Sequence, residues 1–245
     1  MTVRGVRPAT TSVFFSPRTP GRFRLSKPAH RTTPDYPPQD RSHAAAVFAR
    51  APSPGHSKTR LIPLLGARGA ADFQAALLAD AVRKIGTLTG PISRYIFLSG
   101  RNFPIASAFA DFAIQQQRGR NLGDRLGRAF RQLLQRHSAA IVIGTDSPLL
   151  PSGILRQAAR ELRLCDAVLG PCPDGGYFLI GLRRMSPGLF REVRWGTPHA
   201  FRDTLANMLG RSFSCSILEP AADIDRPEDF RRLKSEMVYM NWVVL

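Results

Sequence analysis

The chain has 245 residues, 43% of them hydrophobic and 22% charged, with a formal net charge of +17. That is enough apolar material for one well-buried domain, and no apolar run approaches the roughly 20 residues that a membrane span needs. Cys165, Cys172 and Cys215 lack a C-x-x-C spacing, and the five histidines form no H-x-x-x-H or H-E-x-x-H pair, so neither a disulfide framework nor a zinc site is indicated and a cytoplasmic location is expected.

Residues 1–43 carry eight Lys/Arg against two Asp, an excess of Pro and Ser/Thr, and no sustained apolar period. They read as a disordered basic tail; an Arg-rich targeting peptide is the alternative, although a continuous apolar core and a cleavage site are missing. Without this tail's surplus of six the net charge is +11, mostly Arg scattered along helices. A nucleic-acid binder clusters its basic residues and interleaves aromatics for stacking, so a small polyanionic substrate, or an Arg-rich genome with no function attached, explains this charge better.

From Ala44 onward strands and helices alternate. "AAAVFAR" is a strand by its short apolar run, and "ARGAADFQAALLADAVRKIG" has apolar residues at helical spacing. The strand "RYIFLSG", a short helix near Ala106, the strand "FAIQQQ" and the helix "NLGDRLGRAFRQLLQRH" follow. "AAIVIGTD" is a strand buried on both faces by its unbroken apolar character, a helix spans Ile154 to Arg163, and "DAVLGP" is the next strand. Only "CPDGG" separates it from "GGYFLIGL", too short for a parallel crossover, so this strand joins antiparallel or leaves the sheet. A helix over Pro198 to Leu209, the strand "FSCSIL" and a helix from Pro227 complete a domain over 44–236, with 237–245 as a tail. The order predicts an α/β fold with a mostly parallel sheet between two helical layers.

In such sheets ligands sit outside the carboxyl ends of the strands. After the first strand comes "PSPGHSKTRL". It is not a Walker A loop, because Pro52 and Ser57 stand where glycines are required. What survives is a turn built on two prolines and Gly55, with Arg50, Lys58 and Arg60 and no acidic neighbour in sequence, which suits an anion. "GTDSPLL" places Asp146 at the end of a buried strand, where a carboxylate suits a hard cation; the alternative is an N-cap, a task Ser152 is closer to perform. Asp174 is followed by Gly175 and Gly176, which permit a φ-positive turn and a close approach of backbone to a ligand, though a plain Asp-Gly hairpin explains them equally. In "DIDRPED", Pro227, Glu228 and Asp229 suit a helix start, leaving Asp223 and Asp225 for a cation.

The series "ARAPSPGHSKTRL", "QRGRNLGDRL", "GTDSPLL", "GPCPDGGYFLIGL", "WGTP" and "DIDRPEDF" resembles a bacterial family of GT-A-fold glycosyltransferase-like proteins, the radical-SAM/selenodomain-associated transferases. More distantly, the Lys-Thr-Arg-Leu loop and the closing acidic motif look like those of phospholactate guanylyltransferases and sugar-nucleotide cytidylyltransferases. The resemblance implies a three-layer nucleotide-diphospho-sugar transferase fold, Mg²⁺ or Mn²⁺ held by Asp146 and Asp225, and phosphates held by Lys58 and Arg60, with Arg50 and Gly55 expected to join them from the reading of the loop. It further implies a nucleotide or nucleotide-sugar substrate; from the residues themselves, Gly175, Gly176 and Tyr177 are expected to contact it and Asp174 to act as general base, with the plain hairpin as the alternative. Asn121, Gly196 and Arg226 depart from the usual Asp, Ser and Thr, and Arg226 puts a cation beside a metal-binding acid. Glycosyl transfer is the expected reaction, with nucleotidyl transfer and a non-catalytic protein of the same fold as alternatives.

Overall fold

A computed structural model describes residues 24–25, 42–100, 109–151 and 153–239. In chain order these form β1 (Arg24–Leu25), β2 (His43–Arg50), α1 (Ile62–Gly86), β3 (Ile92–Ser99), β4 (Ala113–Gln116), α2 (Leu122–Leu134) and β5 (Ala139–Ile143). There follow α3 (Ile154–Glu161), β6 (Ala167–Pro171), β7 (Tyr177–Leu182), α4 (Ala200–Gly210), β8 (Cys215–Ile217) and α5 (Pro227–Tyr239). The strands make one sheet in the order β1-β8-β6-β7-β5-β2-β3-β4. β2 pairs in parallel with β3 and β5, β3 with β4, and β6 with β8, whereas β7 runs antiparallel between β5 and β6.

Side chains of a strand alternate between the faces of its sheet, and here each face meets a helical layer. Ala45, Val47 and Ala49 of β2 pack with Leu78, Ala81 and Ile85 of α1 and Leu155 and Ala158 of α3. Ala44 and Ala46 face the other way, onto Leu126, Ala129, Phe130 and Leu133 of α2 and Met208 of α4. Burial on both faces is the reason β2 and β5 read as continuous apolar runs. The fold is the three-layer α/β/α arrangement with a mostly parallel mixed sheet that the alternation predicts.

The helix boundaries follow from local chemistry. Gly66 breaks the regular turn at φ 70°, ψ 168°, so the regular part of α1 starts where the Ala-rich pattern does. Asn121 caps α2 by accepting from the Asp124 N–H at 2.8 Å, while the Asp124 carboxylate accepts from the Arg120 N–H at 3.3 Å. The Asn121 departure therefore has a structural task. At α5 the Asp229 carboxylate accepts from the N–H groups of Arg226 at 3.0 Å and Asp225 at 3.3 Å, which is the helix-start role expected for it.

α5 runs to Tyr239, three residues past the expected domain limit at 236. Of the basic tail expected to be disordered over 1–43, the described parts are β1, which pairs antiparallel with β8, and residues 42–43, where His43 already opens β2; the rest, the helix near Ala106 and Ser152 lie outside the described residues.

β2 leads through α1 to β3 on one side of the sheet, and β5 leads through α3 to β6 on the other. The crevice at such a reversal opens above the carboxyl ends of β2 and β5. Because β7 is antiparallel, its first residues and the 172–176 loop lie at this same edge, which an ordinary parallel strand would not place there.

Candidate functional site

A cavity of about 550 Å³ occupies the crevice, lined among others by Arg50, Lys58, Arg60, Gln74, Gln117, Arg125 and Asp146. A neighbouring cavity of about 250 Å³ holds Cys172, Asp174, Asp223, Trp195 and Thr197. Arg60, Gly144, Asp146, Tyr177 and Asp225 line both, so the two are lobes of one cleft. One lobe carries guanidinium and ammonium groups; the other is acidic.

The loop after β2 is held by a serine that stands where a Walker A loop has glycine. Ser57 is fully buried; its hydroxyl donates to the Ser53 carbonyl at 3.0 Å and accepts from the Ser53 N–H at 3.0 Å. This staple delivers Lys58 in a left-handed conformation, φ 46°, ψ 45°, uncommon for a residue with a side chain. The Lys58 ammonium is buried, donates to the Ile224 carbonyl, and pairs with Asp146 Oδ1 at 3.0 Å. The Ile224 N–H in turn donates to the Asp146 carbonyl at 2.6 Å. Arg60 pairs with Asp225 at the cleft surface. The cations with no acidic neighbour in sequence thus find carboxylates on two distant loops.

The loop bearing Asp146 is anchored from below by α1. Lys84 is buried, and its ammonium pairs with Asp80 and donates to the carbonyls of Ser147 at 3.2 Å and Pro148 at 2.5 Å. Burial pulls the Lys84 pKa below its ordinary value, against the opposing influence of Asp80. Gln74, also on α1, donates to the Arg50 carbonyl at 3.2 Å and to Thr145 Oγ1 at 3.3 Å, and Thr145 donates to Asp146 Oδ1 at 2.9 Å. One helix therefore fixes both loops that flank the crevice.

In the acidic lobe one carboxylate oxygen each of Asp174 and Asp223 and the Cys172 sulfur lie within 4.8 Å of one another. The Asp223 carboxyl is pushed up to about 6, first by burial and then by the negative charges of Asp174, Asp146 and Asp225. Burial, with Asp223 and Asp174 beside it, pushes the Cys172 thiol up to about 12, so it stays protonated. The donor set fits a hard divalent cation such as Mg²⁺ or Mn²⁺, which takes carboxylate oxygens at about 2.0–2.6 Å, and leaves the thiol out.

The positions of the sequence-derived residues can now be compared. Arg50, Lys58, Arg60, Asp146, Asp174, Gly176, Tyr177 and Asp225 all line the cleft. Asp146 caps no helix: the N-cap of α3 is Gly153, without a side-chain bond. Gly55 lines neither lobe; at φ 79° with open space around it, it serves the turn. The Asp-Gly-Gly segment is the hairpin between β6 and β7, closed by Cys172 N–H to Gly176 O and Gly175 N–H to Cys172 O, both at 3.0 Å. Gly175 adopts φ 86°, and the close approach expected of a ligand is made there by the chain itself, since a Cβ would lie 2.2 Å from the Pro198 carbonyl oxygen. The Tyr177 hydroxyl is buried away from the cleft beside Thr204, and burial raises its pKa.

Sequence reasoning kept Asp223 as an acid free to meet a cation, outside the metal pair that the resemblance implies, and missed Cys172, Lys84 and Arg125. An Asp80–Lys84 spacing of four on the apolar α1 face was the available signal for Lys84.

The fold defined by this sheet and cleft is that of the nucleotide-diphospho-sugar transferases. A Desulfovibrio desulfuricans G20 protein described as a "putative nucleotide-diphospho-sugar transferase" is 25% identical, superposes with a TM-score of 0.72, and is matched over 80% of this chain and 87% of that one. Two structures share the fold at lower identity. The 4-diphosphocytidyl-2C-methyl-D-erythritol synthase of Anaerococcus prevotii DSM 20548 is 9% identical, TM-score 0.53, over 81% of this chain and 96% of that one. A CMP:2-keto-3-deoxy-manno-octonic acid synthetase complexed with CTP is 11% identical, TM-score 0.51, over 81% and 99%. Residues 87–197 match a family described as "Uncharacterized protein conserved in bacteria (DUF2064)". No curated protein sequence matches the chain. The resemblance read from the motifs is borne out: the chain is similar to a GT-A-like transferase family. Among the described residues no helix is long and apolar enough to cross a membrane.

Proposed function

We propose that the protein transfers a group from a nucleotide-activated donor, with a nucleotide sugar as donor and a divalent cation on its phosphates. The observation that supports this most is the division of the cleft into a lobe carrying Arg50, Lys58 and Arg60 and a lobe carrying Asp174 and Asp223, with Asp146 and Asp225 at their junction. A diphosphate with its cation has the complementary distribution of charge.

Arg60 would hold phosphate oxygens through its planar fork and Lys58 as a point charge, while Arg50 lines the same lobe. Asp174 and Asp223 would hold the cation, joined by Asp146 and Asp225 as their ion pairs open. When bound, Mg²⁺ or Mn²⁺ neutralises phosphate charge and stabilises the leaving group. Asp174 lies beside Asp223, so cation binding is its first role here, and the general-base role expected for it passes to whichever of the four acids the cation leaves free. The Arg226 backbone N–H donates to Asp229, so that residue serves the start of α5, and it lines neither lobe of the cleft.

Glycosyl transfer is favoured over nucleotidyl transfer by the likeness to the Desulfovibrio protein. The test is a screen of nucleoside diphosphates, triphosphates and nucleotide sugars by thermal shift with and without Mn²⁺. A ligand at roughly 100 times its Kd adds about 2.7 kcal/mol of stability. Hits are followed by product analysis: release of nucleoside diphosphate marks glycosyl transfer and release of pyrophosphate marks nucleotidyl transfer. Absence of metal-dependent stabilisation by every nucleotide would refute the proposal.

A further inference from the structure

A third cavity lies beyond the cleft, at the β4 edge of the sheet. It measures about 320 Å³, and its walls carry Arg118, Arg125 and Arg128 with the amides of Gln115, Gln116 and Gln132. No carboxylate lines it; Phe97 and Ala129 supply its apolar surface. Arg125 and Gln117 line both this cavity and the basic lobe of the cleft, so the two spaces adjoin.

Arg60, Arg184 and Arg194 pair with Asp225, Asp166 and Asp203; the three arginines around this cavity have no such partner among the described residues, and what sets them apart from other unpaired arginines is that they converge on one concavity. Arg118 and Arg128 have no ion pair or side-chain hydrogen bond among the described residues, and Arg125 uses only its Nε, on the Gly119 carbonyl at 3.3 Å. Three like charges around one concavity repel one another, and an anion relieves that repulsion. The fork of each guanidinium matches phosphate or carboxylate oxygens, and glutamine amides add neutral donors. The volume is at the small end of ligand pockets, which suits a phosphorylated or carboxylated small molecule better than a polymer.

We infer that this pocket binds the anionic group of the second substrate, so that the acceptor is a phosphate- or carboxylate-bearing small molecule whose neutral part extends past Gln117 and Arg125 into the cleft. The acceptor assignment rests on the transferase reading; the anion site does not.

The test uses the full chain, inorganic phosphate as probe, and isothermal titration with the cleft filled by a Mn²⁺–nucleoside diphosphate. Arg118→Gln and Arg128→Gln, singly and together, remove charge from exposed positions outside the nucleotide lobe. The expected result is phosphate binding that weakens about tenfold with each substitution, while nucleotide affinity is unchanged. Acetate in place of phosphate distinguishes the carboxylate form of the ligand: the tighter of the two names the group. Phosphate and acetate that bind wild type and the double variant equally, or neither below about 10 mM, overturn the inference. If no nucleotide binds with or without Mn²⁺, but phosphate still depends on Arg118 and Arg128, the transferase reading fails and the anion site stands.

Discussion

Replacing Lys84 by Met separates the stability of the fold from the placement of Asp146. Asp80 and Lys84 are both buried, and burial lowers the Lys84 pKa although Asp80 opposes it. Lys84→Met leaves Asp80 with Arg83, whose guanidinium lies 2.5 Å from Oδ1, and strips the carbonyls of Ser147 and Pro148 of their donor. Removing one partner of a buried pair costs 3–5 kcal/mol, and because Arg83 remains the expected loss is at the lower end, about 3 kcal/mol. For a chain of this size that lowers Tm by about 6–12 °C. Asp80→Leu combined with Lys84→Met removes both charges, so the double variant should regain the part of the loss that comes from the buried Asp80 charge, while the two carbonyls stay without a donor. It should still bind Mn²⁺–nucleotide about tenfold more weakly, because nothing holds the two carbonyls that follow Asp146. Thermal melting gives the first comparison and titration the second. A single variant that melts within about 2 °C of wild type, or a double variant with wild-type ligand affinity, would refute the argument.

The Asp223 carboxyl has a folded pKa of about 6 against an ordinary 3.8, so the folded state holds this proton more tightly across that interval; ligand-free stability should fall as pH rises from about 4 to 6 and level off above. Asp223→Asn should flatten that part of the Tm–pH curve, and an unchanged curve would remove Asp223 from the cluster. Lys58→Ala and Arg60→Ala should each weaken a nucleoside diphosphate about tenfold or more, with little effect on the bare nucleoside. Lys58→Ala alone should also lower the ligand-free Tm, because Lys58 is buried on the Ile224 carbonyl, whereas the Arg60–Asp225 pair is exposed and contributes little. Gly175→Ala puts a methyl into the Pro198 carbonyl at a positive φ, so cooperative melting should drop by several degrees; wild-type melting would contradict the described contact.

The order of strands and helices was legible because the signals are local: apolar runs for strands buried twice, a 3.6-residue period for α1 and α2, and a five-residue connection that forbids a parallel crossover before β7. Membership of the cleft was legible too, since β2, β5 and the β6–β7 hairpin end at the same edge. What the residues do to one another there was not. Lys58 meets Asp146, and Arg60 meets Asp225, across separations of 88 and 165 positions that no periodicity encodes. Likewise Asn121 looked like an altered functional residue and is the cap of α2, because capping is decided by the N–H it faces. Lys84 was hidden for the opposite reason: a lysine on a helix reads as solvent-facing, and only the path of the 147–148 backbone makes it internal.

The two ion pairs across the cleft have a thermodynamic consequence for how strongly an anion and a cation depend on each other. An anion that draws Arg60 from Asp225 leaves that carboxylate seeking a cation, and a cation that settles on Asp225 releases the arginine; Lys58 and Asp146 stand in the same relation. Anion and cation affinities are then coupled, and the coupling must be equal from either side. If Mn²⁺ tightens nucleoside diphosphate binding tenfold, nucleoside diphosphate tightens Mn²⁺ binding tenfold, a shared free energy of about 1.4 kcal/mol. If neither partner alone displaces the resting pairs fully, the cleft would respond to the two together.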